Sequence, residues 1–190
     1  MWATLLHMVS ELQRRKTALV FTAMDVDSDG FLEREDFAAL TERWTDHRGL
    51  APDSPEAAGL SGIMMGWWKT LLAASDVDRD RKVTVEEVLL VVDRLAADTT
   101  PVVATATAMF AAIDADGDGR ISAAEYRELI ETWNGVPTDT DEVFAELDLD
   151  GDGYLSEAEF VELWTEFWAG DDPNAAGTWV FGRFELPLFV

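Results

Sequence analysis

The chain has 190 residues and a formal net charge of −24, from 14 basic and 38 acidic side chains. A charge of this sign disfavours nucleic acid and anionic membranes as partners, because both would repel the protein. The sequence contains no cysteine, which excludes disulfides, thiol nucleophiles and zinc–thiolate sites. Apolar residues make up 48% of the chain and aromatic residues 11%, so we expect a folded core and not an acidic disordered chain.

Four acidic stretches divide the chain, at residues 25–36, 76–87, 114–125 and 148–159. Apolar residues recur at helical spacing before and after each of them. The segment before the second stretch follows the i, i+3, i+4 rule most closely, with Leu60, Ile63, Met64, Trp67 and Leu71. The pattern predicts eight helices, two around each stretch, and therefore an all-α fold.

Each acidic stretch repeats one twelve-residue pattern, with acids at positions 1, 3, 5 and 12 and an aliphatic residue at position 8. This is the ligand spacing of an EF-hand loop, in which a calcium ion takes six to eight oxygens, including the backbone carbonyl at position 7. The predicted metal ligands are Asp25, Asp27, Asp29, the Phe31 carbonyl and Asp36 in loop one; Asp76, Asp78, Asp80, the Lys82 carbonyl and Glu87 in loop two; Asp114, Asp116, Asp118, the Arg120 carbonyl and Glu125 in loop three; and Asp148, Asp150, Asp152, the Tyr154 carbonyl and Glu159 in loop four.

The four loops differ in how closely they match the pattern. Loops three and four match at every position, including Gly119 and Gly153 at position 6. Loop one ends in Asp36, whose carboxylate is one methylene shorter than that of glutamate, so we expect lower coordination and competition from magnesium there. Loop two has Arg81 in place of the position 6 glycine, and a positive φ costs such a residue about 1 to 2 kcal/mol. We therefore expect weaker binding in loop two and leave its occupancy open.

A single EF-hand cannot bury its apolar faces alone, so the hands should pair through their position 8 residues. This predicts two lobes that form a compact globule, at residues 1–98 and 99–170. The remaining residues, 171–190, form a hydrophobic carboxyl-terminal tail. We expect this tail to pack on the protein's own core; recruitment of a partner or a membrane is the alternative.

The amino terminus places its basic cluster after a short apolar stretch, the reverse of a secretory signal, so we expect a cytoplasmic protein. The most apolar window, residues 59–68, is too short to span a bilayer and predicts a buried helix. We expect a monomer.

Taken together, the sequence resembles the calerythrins and the sarcoplasmic calcium-binding proteins. The shared features are four EF-hands in a chain of this length, a long gap between the first two loops, a compromised second loop and a hydrophobic carboxyl-terminal extension. The stretch Phe181-Gly182-Arg183 is similar to the end of calerythrin. The resemblance implies two lobes packed face to face, a calcium or magnesium buffer and a prokaryotic cytosolic setting. Two departures are the acids that survive in loop two and the extra stretch 169–178 before the tail.

The leading functional prediction is a cytosolic calcium and magnesium buffer or transport protein, not an enzyme. A calcium sensor is the alternative, and a protein target would then bind if the carboxyl-terminal tail were displaced. Sensors expose methionine-rich grooves, whereas this chain has six methionines against eight tryptophans. A coelenterazine-binding or photoprotein-like function is a remote alternative, since His7 and His47 are the only histidines.

Overall fold

The computed structural model describes residues 9–95 and 97–183. Eight α-helices lie in this part of the chain, and the all-α prediction is confirmed there. They are α1 (Glu11–Met24), α2 (Arg34–His47), α3 (Pro55–Ser75), α4 (Val85–Leu95), α5 (Thr100–Ile113), α6 (Ala123–Asn134), α7 (Asp141–Leu147) and α8 (Glu157–Ala169). Two short strands, β1 (Arg120–Ser122) and β2 (Tyr154–Ser156), and a 3-10 helix (Ala176–Trp179) complete the elements.

Helix starts follow local signals in the sequence. The hydroxyls of Ser10, Ser54, Ser122 and Ser156 each accept a hydrogen bond from the backbone N–H three residues on, which satisfies a donor that the first helical turn leaves free. The predicted start at Ser54-Pro55 is the start of α3. At the other end of α6, Gly135 has a φ of 71°, a left-handed conformation that glycine adopts at little cost.

The position 8 residues join the loops in pairs, as the sequence predicts. In the first pair, Leu32 and Val83 exchange two backbone hydrogen bonds of 2.8 and 3.0 Å in an isolated antiparallel bridge. In the second pair, β1 and β2 form a three-residue antiparallel ladder with Ile121 opposite Leu155. All four side chains are buried. The lobe boundaries at 1–98 and 99–170 themselves stay a prediction.

Aromatic side chains from both loop pairs meet in one core. The Trp67 ring on α3 lies 5.5 Å from that of Trp133 on α6 and 6.2 Å from that of Trp164 on α8. Phe37 on α2 contacts Trp67 edge-on at 5.7 Å. Such rings bury a large apolar area, so the helices of the first two hands are held against those of the last two.

The described part of the tail packs on this core, as expected. Phe181 lies with its ring 4.7 Å from Phe167, 4.9 Å from Trp164 and 5.4 Å from Trp133, and Val180 is fully buried. The 3-10 helix passes so close to α8 that a Cβ on Gly177 would lie 2.3 Å from the Leu163 carbonyl oxygen. The predicted apolar residues of the tail beyond Arg183, and those before Val9, lie outside the described residues.

The described helices include none that is both long and apolar enough to cross a bilayer. Residues 59–68 instead lie within α3, which buries Leu60, Met64 and Trp68 in the core. This confirms the prediction of a buried helix.

Candidate metal sites

All four loops share one internal hydrogen bond. The backbone N–H at position 6 donates to the carboxylate at position 1, which orients the first acid towards the middle of the loop. The distances are 2.9 Å from Gly30 to Asp25, 3.2 Å from Arg81 to Asp76, 3.0 Å from Gly119 to Asp114 and 2.8 Å from Gly153 to Asp148. The four loops are therefore wound alike, whatever residue stands at position 6.

Carboxylates that the sequence assigns as ligands come together in each loop. In every loop, three of them place an oxygen within 4.8 Å of each other: Asp25, Asp27 and Asp36; Asp76, Asp78 and Asp80; Asp114, Asp116 and Asp118; and Asp148, Asp150 and Glu159. Carboxylates at this spacing repel one another in the absence of a cation.

The other predicted ligands lie in the same loops but outside these groups. Both oxygens of Glu125 accept backbone hydrogen bonds, 2.8 Å from Ala115 and 2.8 Å from Ser122. Glu87 does the same in loop two, with 3.0 Å from Val77 and 2.9 Å from Thr84. Asp29 and Asp152 each accept the N–H of position 7 at 2.9 Å, while the carbonyl residues of position 7 stand directly before the paired position 8 residues.

Two carboxylate oxygens show that the residues fit a hard cation. Glu159 Oε1 in loop four and Asp76 Oδ1 in loop two are buried, and neither accepts a hydrogen bond from the described residues. A buried, unpaired carboxylate oxygen is costly, and an ion bound in the loop would remove that cost. The donor set is made of oxygens alone, which suits calcium or magnesium and not zinc.

The shorter acid of loop one reaches the centre of its loop. Asp36 is buried, and its two oxygens accept the N–H groups of Val26 at 3.0 Å and Glu33 at 2.7 Å. Burial raises the pKa of Asp36, and the two backbone N–H groups oppose that rise. At Glu159 burial acts in the same direction, but hydrogen bonds from Ser156 outweigh it and lower the pKa.

Loop two adopts the common winding with residues that disfavour it. Arg81 has a φ of 69° at position 6, where glycines take 88°, 83° and 87° in the other loops. Position 4 also has a positive φ, 66° at Arg79 and 58° at Ser28, and the sequence analysis missed this second strained position. Gly117 and Gly151 at position 4 of loops three and four were the signal that could have revealed it.

A lysine links the first two loops. The Lys82 ammonium lies 2.5 Å from the Glu33 carboxylate and 3.9 Å from that of Asp29, and 4.7 Å from the centre of the Phe31 ring. In the other pair, Arg120 stays with Asp118 of its own loop at 3.2 Å and covers the Tyr154 ring at 4.0 Å. The sequence analysis assigned Lys82 a backbone role only, and nothing in the sequence shows that its side chain reaches another loop.

Two family models match this chain. The EF-hand domain pair matches residues 104–165, which contain loops three and four, and the EF hand matches residues 18–41, which contain most of loop one. The chain belongs to the EF-hand family.

The EF-hand protein is similar to sarcoplasmic calcium-binding proteins. The beta chain of Penaeus sp. is 34% identical over 110 residues, which make up 54% of this chain and 57% of that protein. Sarcoplasmic calcium-binding protein 1 of Astacus leptodactylus is 27% identical over 178 residues, 83% of this chain and 88% of that protein. The match therefore spans little more than half of the first relative and most of the second. These relatives are calcium-binding proteins and not enzymes.

Two solved structures share the fold. A Streptomyces coelicolor calcium-binding protein, described as a basis for prokaryotic calcium-mediated regulation, has a TM-score of 0.71 and 29% identity, covering 84% of this chain and 99% of that one. The coelenterazine-binding protein of Renilla muelleri has a TM-score of 0.73 and 22% identity, covering 93% and 100%. The second likeness concerns the fold alone.

Proposed function

We propose that this EF-hand protein is a calcium buffer or transport protein that also takes magnesium, with the residues named in the four loops as its ligands. Loops one, three and four would bind strongly and loop two weakly. The ion would neutralise the grouped carboxylates and satisfy the unpaired oxygens of Asp76 and Glu159. Binding within wound loops, without a large change in shape, is what a buffer requires.

The closed aromatic core is the observation that carries the buffer proposal over the sensor. A sensor exposes an apolar groove when calcium binds, and a target helix then fills it. In this protein Phe181 already lies against Trp133, Trp164 and Phe167. Opening the molecule would remove these contacts and expose the rings to water, at a cost of about 2 kcal/mol for each large side chain.

A charged contact between α2 and α6 supports the same conclusion. Arg48 pairs with Glu128 at 2.5 Å, and both side chains are less than one-fifth exposed. The indole N–H of Trp44 donates to the same carboxylate at 2.8 Å, and Arg48 also donates to the Ile113 carbonyl at 3.2 Å. Separation of the two helices would leave Glu128 without two of its donors, so the contact favours the closed molecule.

A second contact joins α1 to the end of α8. The buried ammonium of Lys16 donates to the carbonyls of Glu166 at 3.2 Å and Gly170 at 2.7 Å. The last carbonyls of a helix lack partners within the helix, and a cation there also interacts favourably with the helix dipole. The first and last helices are therefore fastened together through polar as well as apolar contacts.

The coelenterazine-type alternative finds less support in the interior. Trp67, Trp164 and Trp168 line a cavity of about 100 Å³, and no described lining residue is a histidine or a tyrosine. Drug-sized ligands occupy pockets of about 300 to 1,000 Å³. A wider groove of about 360 Å³ between α3 and α5 adjoins the cavity, but its described lining is apolar and small. Incubation with coelenterazine, followed by calcium, tests this alternative through bound chromophore and emitted light.

We further propose a cytosolic monomer with lobes at residues 1–98 and 99–170 and a tail at 171–190. The most exposed large apolar side chains are Val77, Val103, Val136 and Leu149, which lie in four different segments. Scattered apolar residues of this kind do not form an association surface. Size-exclusion chromatography with light scattering measures the oligomeric state directly.

Calorimetric calcium titration, with and without magnesium, tests the main proposal. We expect three strong sites and one weak site, with magnesium competing most at loop one. An apolar dye added during the titration should show little increase in fluorescence. Failure of the chelator-treated protein to bind calcium at micromolar concentration would refute ion binding, and a large calcium-dependent increase in dye fluorescence would favour the sensor.

A further inference from the structure

The position 7 side chains of the first loop pair meet across the Leu32–Val83 bridge. Position 7 precedes the bridged residue in both loops, so Phe31 and Lys82 lie side by side. The Lys82 ammonium lies over the Phe31 ring at 4.7 Å and continues to the carboxylates of Glu33 and Asp29. A side chain of loop two therefore ends beside a predicted ion ligand of loop one.

The charge around this ammonium makes the contact significant. Loop one contains six acidic side chains and one basic one, Arg34. Arg34 lies near Glu35 at the start of α2, at 4.0 Å, with both side chains more than three-fifths exposed. Lys82, by contrast, is 38% exposed and lies against Glu33 and Asp29, which are 30% and 39% exposed. It is the described cation that lies closest to the carboxylates of loop one.

We propose that Lys82 is a tethered cation that sets the calcium affinity of loop one from loop two. This rests on the proposed function, since it concerns the affinity of a site assigned there. Without the ion, the ammonium offsets part of the repulsion within loop one. When a dication enters, the same ammonium repels it and competes for Asp29. Lys82 therefore stabilises the ion-free protein and weakens the first site.

Arg120 provides the contrast within the same molecule. It occupies position 7 of loop three, but its guanidinium pairs with Asp118 of its own loop and covers the ring of Tyr154 in loop four. The same position thus acts on its own loop in the second pair and on the partner loop in the first. The identity and length of the neighbouring side chains, Phe31 and Glu33 against Tyr154 and Ser156, accompany this difference.

A site-resolved titration can separate the loops. The position 6 N–H donates to the position 1 carboxylate in every loop, so the amide NMR signals of Gly30, Arg81, Gly119 and Gly153 report loops one to four individually. Calcium is added to uniformly ¹⁵N-labelled, chelator-treated full-length protein. The ion-free proteins are also unfolded by heat, which gives a readout that does not depend on bound metal.

The test variant is Lys82→Gln, which removes the charge and leaves the Lys82 carbonyl in place. We expect calcium affinity at Gly30 to rise roughly threefold to tenfold, because a like charge a few ångströms from the ion is removed. The melting temperature of the ion-free protein should fall by about 1 to 3 °C, because the acids of loop one lose their counterion. In about 1 M KCl, where the screening length is about 3 Å, the gain in affinity should shrink.

The matched control is Arg79→Gln, which removes one positive charge from the same loop. Arg79 is exposed at position 4 and is not a predicted ligand, so this variant should change the Gly30 response less than Lys82→Gln does. Lys82→Arg retains the charge and should restore most of the wild-type response. Opposite shifts in affinity and ion-free stability for Lys82→Gln alone support the proposal.

Two outcomes would overturn it. Equal Gly30 responses in Lys82→Gln and Arg79→Gln would show that only the net charge of loop two matters. A Lys82→Gln protein that loses stability without any gain in affinity would show that the lysine has a structural role only. A wild-type protein whose amides do not respond to calcium would instead refute the proposed function, so the two failures are distinguishable.

Discussion

The two loop pairs reach the same internal geometry with different residues. The second pair has glycine wherever φ is positive and joins its loops through a three-residue ladder. The first pair has Ser28, Arg79 and Arg81 at such positions and joins through one bridge. The position 6 to position 1 hydrogen bond is nevertheless present in both. The winding of a loop is therefore a weak guide to its affinity, and the differences lie in strain, charge and the last carboxylate.

The largest difference between the pairs should appear when their last carboxylates are neutralised. Glu159→Gln keeps the side-chain shape but removes a charge from an oxygen that is buried without a partner. We expect calcium affinity in loop four to fall about 100-fold, since affinity depends on the number of charged ligands. Glu87→Gln in loop two should change the total binding much less, because that site is already weak. Calorimetry and the Gly153 amide measure both effects.

Glu157→Gln is the matched control for Glu159→Gln. Glu157 is an exposed acid of the same loop and is not a predicted ligand. It should lower affinity by a small factor through net charge alone. If Glu87→Gln proved as damaging as Glu159→Gln, the two pairs would be equivalent and the comparison above would fail.

The next largest effect concerns whether the pairs form one cooperative unit. Arg48→Met removes the cation beside Glu128 and leaves a largely buried carboxylate with Trp44 as its remaining listed-above donor. We expect the free energy of unfolding to fall by about 2 kcal/mol, less than for a fully buried pair because both side chains keep some exposure. Urea unfolding of the ion-free protein measures this value.

Arg127→Met provides the comparison for Arg48→Met. Arg127 pairs with Asp141 at the surface, with the two side chains 42% and 72% exposed, and its loss should cost less than about 1 kcal/mol. Equal losses in the two variants would show that the contact between α2 and α6 adds nothing beyond surface electrostatics. Two separate unfolding transitions in Arg48→Met would show that this contact makes the pairs cooperative.

The sequence was sufficient to predict the loops, the eight helices and the pairing. Twelve-residue ligand spacing and a 3.6-residue apolar period are local patterns, so they survive in any tertiary context. Leu32 and Val83 are a clear case, since position 8 alone predicts their bridge.

The sequence was not sufficient to predict contacts that depend on how the hands dock. Lys16 would ordinarily be assigned to solvent, yet it is buried against the end of α8. Arg48 and Glu128 stand far apart in the chain, and no local pattern brings them together. Lys82 illustrates the same point within one pair, because the direction of its side chain follows from the bridge and from the acids of its partner loop.

A moderate effect should separate strain from charge in loop two. Arg81→Gly removes both the positive-φ cost and the cation, whereas Arg81→Gln removes the cation alone. We expect Arg81→Gly to bind calcium in loop two about tenfold more tightly than Arg81→Gln, which corresponds to the cost of about 1 to 2 kcal/mol for a left-handed side chain. Calcium titration followed at the residue 81 amide measures the ratio. Equal affinities would show that backbone strain does not explain why the two pairs differ.

The smallest effect concerns the contact that fastens the first pair to the second through Lys16. Burial lowers the pKa of Lys16 to about 8 from its ordinary value of 10.5, against the opposing influence of Asp171 and Glu166. Between these values the unfolded chain holds a proton that the folded protein has released. The contribution of Lys16 to stability therefore rises with pH between about 8 and 10.5. Lys16→Met should lose this rise.

Urea unfolding of the ion-free protein at several pH values across this window measures the rise as a difference between wild type and Lys16→Met. Lys69→Met is a suitable control, since Lys69 is exposed on α3. Its pH dependence should follow that of the wild type. A Lys16→Met protein with the same slope as the wild type would mean that the ammonium keeps its charge where α1 meets α8. The two loop pairs would then be joined by an ion–carbonyl contact that does not change over this pH range.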